Sequence, residues 1–519
     1  MGRVRSAILL AALVTGGAVG ASTLDAAGAQ AVRSPAAPAN GNSVDAAVSA
    51  DGRFVAFTSG ATNLVRGDTN GLPDVFVRDR AAGTTELVSV AYDGAQADSD
   101  SHTLGISADA RFVLFASAAS NLTPGDTCCW KIYVRDRLAH TTLKVTPTPT
   151  SLKYSRGAIS ADGRFVAFTS DGPIEIGGRK VMSSLFVWDR VTGTRELVAE
   201  GGSVTLRDPA ISADGRFVAF VSQASNLVPG DSNGREDVFV RDRIAGTTER
   251  VSVGPNGVEA NGSSYDVAIS GDGRLVAFDS VASNLAPGDT GETLDVFVRN
   301  RLAATTTRVN ESDGASLGTI SADGRFVAFV PRAPNGILGV VVRDVVARTT
   351  EVVSIASDGR PAENSSYTGS GPLSADGRFV GFYSPASNLV PGDTNGTDDV
   401  FVRDRLAGTT ELVSVGYAPT VKAGPLMLVP ARPKAGKLLA AILPVSVDGQ
   451  AVAADATAAC SASVRGRKLA ALAEEVRSGS VRCVWRVPRD AKGKKLFGLV
   501  AVVTRDEVSA GREFAIRVG

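Results

Sequence analysis

The sequence predicts an all-β fold, a seven-bladed β-propeller followed by a small immunoglobulin-like β-sandwich. Three observations predict it. A turn motif recurs seven times at intervals of 51 to 58 residues, each interval holds the same four apolar runs, and the 519 residues combine 56 glycines with only 6% aromatic side chains. Many short strands and turns suit that composition, and a fixed long period marks a repeat architecture.

The turn reads Asp51-Gly52-Arg53 in the first copy and Asp376-Gly377-Arg378 in the last, and only Asp109-Ala110-Arg111 lacks the glycine. In the last copy the four runs are a lead-in ending at Leu373, RFVGF from Arg378, VFVRDR from Val400 and TTELVSV from Thr409, here called strands A to D. Asp tolerates the turn and Gly supplies its positive φ, so A and B form an antiparallel hairpin. Strand B is nearly all apolar (Phe54, Val55, Ala56 and Phe57 in the first copy), as a strand covered on both faces must be. One unit cannot cover two faces, whereas seven in a ring cover each other. The segment from Ala39 resembles the one from Ala260, so the first copy enters the unit where the others do and the ring is expected to close by packing, without a borrowed strand.

The pattern resembles the WD-like propeller repeats of the TolB type, in which an S-x-D-G-[RK] turn precedes an apolar strand ending in Ala-Phe. The resemblance covers residues 39–415 and implies a propeller. TolB itself resembles a six-bladed propeller behind an α/β domain and works in a Gram-negative envelope. This chain has seven units and no such leading domain, so the TolB role is not carried over.

Residues 416–519 read as a basic β-sandwich, from alternating runs around Val481 to Val487 and Leu496 to Val503. Lys434 to Leu439 and Arg465 to Arg477 are expected to include a short helical turn. Cys460 and Cys483 are expected to form a disulfide in an oxidising compartment. That compartment follows from residues 1–29, where Arg3 and Arg5 precede an apolar stretch from Ala7 to Ala21 and small-residue cleavage sites, the pattern of a secretory signal peptide. Residues 30–38 read as a linker. The expected protein is a monomer, secreted or held in the cell envelope, with no transmembrane span after cleavage.

Lys+Arg and Asp+Glu both number 54, which argues against a nucleic-acid partner. Residues 416–519 nevertheless hold 17 Lys and Arg against 8 Asp and Glu, a net of +9 that leaves −9 on the rest. Such a basic domain suits docking to an acidic surface or an anionic envelope polymer; an ordinary solvated face reads the same way.

The recurrent Arg-Asp-Arg at 78–80, 135–137, 241–243 and 403–405 is assigned to blade-to-blade pairing or solvent. The B–C loops offer more chemistry. Asp68, Asn70 and Asp74; Asp231, Asn233 and Asp237; Asp289, Gly291 and Asp295; and Asp393, Asn395 and Asp399 stand at positions one, three and seven. Oxygen donors so spaced suit calcium, though each loop offers few of the roughly 6 to 8 it takes. They equally suit a turn capped by its own side chains, with Gly71, Gly234 and Gly396 at positive φ.

B–C and D–A loops leave the sheets at one end, and that end is the expected binding face. The second unit departs most from the repeat. Its B–C loop carries Cys128, Cys129 and Trp130, with His102 expected on the same side and Tyr154 nearby. A vicinal disulfide beside Trp130 would make a platform for a sugar or aromatic group; a local staple with Trp filling a gap between blades is the plainer reading. The loop from Asp171 to Ser184 is a further irregularity. No H-E-x-x-H, P-loop or C-x-x-C motif occurs. The function expected is therefore non-enzymatic binding of a protein or polysaccharide, the alternative being a carbohydrate-active hydrolase or lyase using His102 or clustered acids at the axial face.

Overall fold

The computed structural model describes residues 31–33, 38–126, 129–147, 156–170, 174–176, 178–201, 206–289, 293–332, 339–417, 420–447, 450–451, 456–477, 479–503 and 509–519. The expected signal peptide lies outside them. The chain is all-β and divides into two compact units, 36–417 and a second made of 1–35 with 418–519.

In the larger unit, seven antiparallel sheets of three or four strands follow one another among the described residues. The first pairs Ser43–Val48, Phe54–Ser59, Asp74–Asp79 and Thr84–Leu87 in chain order, the meander that a glycine turn between A and B predicts. Gly52 takes φ 72°, and a Cβ there would lie 2.0 Å from Cδ2 of Phe379 in the seventh sheet. The glycine therefore serves both the turn and the close approach of two sheets. Strand B is buried along almost its whole length, as its continuous apolar run requires.

Each sheet packs its faces on the next. Val113 and Phe115 of the second share a core with Ala56, Val75 and Val77 of the first, while Val400, Val402 and Val413 of the seventh close over Val55 and Phe57 of that same first sheet. The junction repeats the internal ones in detail. Val90 bridges Gln96, Val253 bridges Glu259 and Ile355 bridges Pro361 within the chain, and Val415 bridges Pro38 where the chain is interrupted. Sheet-on-sheet packing of this kind is the arrangement of a β-propeller.

Two local expectations change. The seventh sheet has three regular strands, and its lead-in makes only isolated bridges, Tyr367 to Tyr383 and Leu373 to Val380. Pro372 has no N–H to give and Gly369 and Gly371 have no side chains to pack, so strand A cannot form a full ladder there. The loop from Asp171 to Ser184 contains a short hairpin, Ile174–Ile176 with Arg179–Val181, turning at Gly178 with φ 78°. Ile174 and Val181 are buried in the core between the second and third sheets, which is what fixes the insertion.

The smaller unit is two antiparallel sheets around one core. Thr420–Ala423, Leu438–Val447, Ser480–Arg486 and Ala471–Arg477 form the path of one, with Met427–Val429 and Gln450–Ala451 also paired to Leu438–Val447, and Arg467–Leu469, Thr457–Val464, Lys495–Val503 and Ser509–Arg517 form the other. Ala31–Arg33, expected within a linker, adds an edge strand by pairing with Thr420–Ala423. Where a short helical turn is expected, 434–437 is a single hydrogen-bonded turn, Lys437 N–H donating to the Lys434 carbonyl at 3.1 Å, that leads into Leu438–Val447, while 465–477 is hairpin and strand, with Arg465 at φ 51° in the tight turn. Cys460 and Cys483 are bonded, their Cα atoms 5.8 Å apart, and tie the two sheets beside the fully buried Trp485.

Candidate functional site

The triplet Arg-Asp-Arg is structural in all three places. Arg78 donates to Thr85 across the C–D pair at 3.1 Å, Asp79 accepts from Arg53 of the A–B turn at 2.6 and 3.0 Å, and Arg80 reaches the neighbouring sheet to bond Glu411. Arg137, Arg243, Arg301 and Arg405 make the same reach to Glu86, Glu196, Glu249 and Glu351. Each also stacks on a phenylalanine of the sheet it reaches, Arg137 for example lying 4.8 Å from the Phe54 ring centre.

In the B–C loops the asparagine at position three builds the turn. Asn70 accepts from Leu72 N–H at 2.9 Å and donates its amide to Asp74 at 2.9 Å and to the Ala97 carbonyl at 3.0 Å. Asn233 does the same with Arg235, Asp237 and Ala260, and Asn395 with Thr397, Asp399 and Ala39. The amide oxygen faces the loop's own backbone and the NH2 faces the carboxylate. The aspartates at positions one and seven are buried in the first, fifth and seventh sheets; in the fourth Asp237 is buried and Asp231 half-buried.

What differs between the loops is the partner of that buried charge. In the fourth sheet Arg250, from strand D, pairs with Asp231, Asp237 and Glu259, three carboxylates whose oxygens lie within 4.8 Å of one another. In the fifth, Arg308 at the same strand position bonds Asp295 at 3.0 Å and also Asp313. In the second, Lys144 bonds Asp126 at 2.9 Å. In the first, the strand position holds Leu87, and Gln96 donates to both Asp68 and Asp74, at 2.8 and 2.9 Å. Burial pushes Asp237 up to about 6 despite Arg250, and burial likewise raises Asp74 against three hydrogen bonds. Gly291 lies outside the described residues. The strand D residue was missed by sequence reasoning, although its alternation between Leu and Lys or Arg was visible.

The second unit brings His102 and Trp130 together, as expected. Their ring centres are 5.4 Å apart, tilted by 35°, and both are half-buried. Trp130 also packs on the core between the second and third sheets, so the gap-filling role is real. Cys129 is exposed at φ 93°; Cys128 and Tyr154 lie outside the described residues.

Strand A also supplies a set of charges that sequence reasoning did not single out. Asp45, Arg156, Asp208 and Asp266 all stand four residues ahead of the serine that opens the A–B turn. Bulges in strand A re-aim this stretch, with Asp45 at φ 59° and Asp208 at φ 50°. Burial raises the Asp45 carboxyl, and His102 opposes that shift. Arg156 pairs with Asp208, and Arg207 with Glu236. Beside Asp266, Asp279 is 1% exposed; its Oδ2 accepts from Leu317 N–H at 3.3 Å and its Oδ1 has no hydrogen-bond partner. Burial first, and then Asp266, push Asp279 up to about 7.

No family model and no curated protein matches the chain. Solved structures do. TolB proteins are among its structural neighbours. The one from Acinetobacter baumannii is 15% identical, with 67% of this chain and 77% of that one covered and a TM-score of 0.37. An oligogalacturonate lyase from Vibrio parahaemolyticus is 13% identical over 72% of this chain and 92% of its own, at 0.44. The β-propeller domain of the Trilobed protease from Pyrococcus furiosus is 10% identical over 72% and 97%, at 0.46. No helix among the described residues is long and apolar enough to cross a membrane.

Proposed function

We propose that this is an exported, non-enzymatic binding or scaffold protein, in which seven sheets form a closed seven-bladed propeller and the smaller unit is an immunoglobulin-like sandwich. The B–C and D–A loop end of the propeller takes a protein or polysaccharide partner, and the basic smaller unit, at +9 over residues 416–519, favours an anionic one. The observation carrying this reading is the His102–Trp130 pair, a half-buried aromatic surface found in one unit of the repeat and placed beside the irregular loop of that unit. Aromatic faces of this kind stack on sugars and rings. Charges that recur from unit to unit are paired within or between the sheets, so a partner is left with the departures from the repeat.

A glycan array probed with the full chain, run beside a turnover screen on the same glycans, tests the reading. Stable binding that Trp130→Ala removes, with no turnover, supports it. Binding indifferent to Trp130→Ala moves the site elsewhere, and turnover sinks the non-enzymatic reading. Asp279, buried beside Asp266 and poised near neutrality, favours the second reading, a carbohydrate-active hydrolase or lyase at the axial face. A carboxyl held near pH 7 is what general acid–base work on a glycosidic bond requires.

A further inference from the structure

We infer that the B–C loop of the seventh sheet, Asp393 to Asp399, holds a calcium ion that the other three Asp-rich loops do not need. The loops share one turn, yet they solve the problem of two buried carboxylates differently. Arg250 and Arg308 bring an internal cation to the fourth and fifth sheets, and Gln96 brings two amide hydrogens to the first. The seventh sheet has neither. Leu412 stands where Arg250 and Arg308 stand, and Pro38, which bridges Val415, stands where Gln96 and Glu259 stand.

Asp393 is nevertheless 6% exposed and Asp399 fully buried. Asp393 Oδ1 and, four residues on, Thr397 Oγ1 are both shut off from solvent without a hydrogen-bond partner; Asp231 Oδ2 in the fourth sheet is likewise unbonded, but there Arg250 lies 3.5 Å from the same carboxylate. Burying such an oxygen unpaired is costly, and for a carboxylate much more so. Burial raises Asp393, and the neighbouring Glu363 carboxylate adds to it; no ion pair reaches Asp393 or Asp399 among the described residues. Asp399 accepts only uncharged hydrogen bonds, from Ser414 Oγ and from the Asn395 amide, both at 2.5 Å. Positions one and five thus present a carboxylate and a hydroxyl oxygen without a partner, with the buried Asp399 carboxylate at position seven and no ion pair to either aspartate among the described residues. A hard divalent ion with oxygen ligands answers that set, with waters completing the 6–8 ligands calcium takes. With few protein donors the affinity belongs to the weak, extracellular class, with Kd on the order of 10⁻⁴ to 10⁻³ M.

The test is thermal unfolding of the full chain in chelator and in calcium up to about ten times that Kd, where an ion that binds only the folded state raises Tm by roughly 1–3 °C. Three variants locate the effect. Asp393→Asn should abolish the calcium increment, Asp231→Asn should leave it, and Leu412→Arg should abolish it while raising Tm in chelator, because it installs the internal cation found in the fourth and fifth sheets. The inference is overturned by a Tm that ignores calcium in the parent chain, or by an increment that survives Asp393→Asn. The His102–Trp130 reading is untouched by either result.

Discussion

Arg80 and Glu411 are 331 residues apart in sequence and 2.9 Å apart in space, one on the first sheet and the other on the last. The contact is the same one Arg137 makes with Glu86 between consecutive sheets, so the two ends of the repeat meet as any two neighbours do. Glu411 is 43% exposed and Arg80 14%, and Arg80 also donates to the Gly52 carbonyl and stacks 4.8 Å from the Phe379 ring centre. The carboxylate alone is therefore worth little. Glu411→Ala is expected to cost about 0–1 kcal/mol of unfolding free energy and Arg80→Ala about 1–3 kcal/mol, read by denaturant titration.

Gly52 should resist substitution for two reasons that add. Gly52→Ala places a methyl both at φ 72° and against the Phe379 ring, and is expected to cost roughly 2–4 kcal/mol. Ala110 holds the equivalent place in the second sheet at φ 59°, so Ala110→Gly should relieve backbone strain and change stability by less than about 1 kcal/mol. Equal effects at the two sites would contradict this reading of the turn.

Arg250 pairs with Asp231, Asp237 and Glu259 while only 9% exposed. Arg250→Leu, which copies the residue of the first and seventh sheets, leaves three carboxylates together. It is expected to destabilise by about 3–5 kcal/mol at pH 7.5 and by clearly less at pH 5, where Asp237, pushed up to about 6 by burial, takes a proton. A loss independent of pH would show that the guanidinium is packing, not pairing.

Much of this was legible in the residues. The A–B glycine turn and the unbroken apolar strand B give the sheets their order and their two covered faces, and the spacing of Asp and Asn gives the B–C turn. The partner of the buried aspartates was not legible, because it sits on strand D, 13 residues beyond Asp237 and Asp295, where an isolated Leu or Arg looks like ordinary alternation. Pro372 was visible, yet its effect on the ladder depends on which strand lies beside it. Ala31–Arg33 is too short to carry a pattern and is a strand only because Thr420–Ala423 offers it an edge.

Asp279 supplies a pH signature. Its carboxyl ionises at about 7 in the folded protein, far above an unfolded aspartate. The stability it lends is full below the unfolded value near 3.8 and is lost as pH rises through about 7. Asp279→Asn should flatten that fall, seen as a difference in Tm between variant and parent that widens from pH 4 to pH 8. Asp237 and Asp399 titrate within the same window in both proteins and cancel in the difference. A constant difference would place Asp279 in contact with water or a cation.

A closed ring requires the first and seventh sheets to touch, and one cross-link measures that. A Cβ built on Gly371 lies 3.6 Å from Cβ of Ala47, within the span of a disulfide. The double variant Ala47→Cys with Gly371→Cys, oxidised and digested, should yield a reducible peptide pair joining the two positions within one chain, at a yield independent of protein concentration. Absence of that pair, or its formation only between chains, would mean an open row of sheets and would contradict the ring.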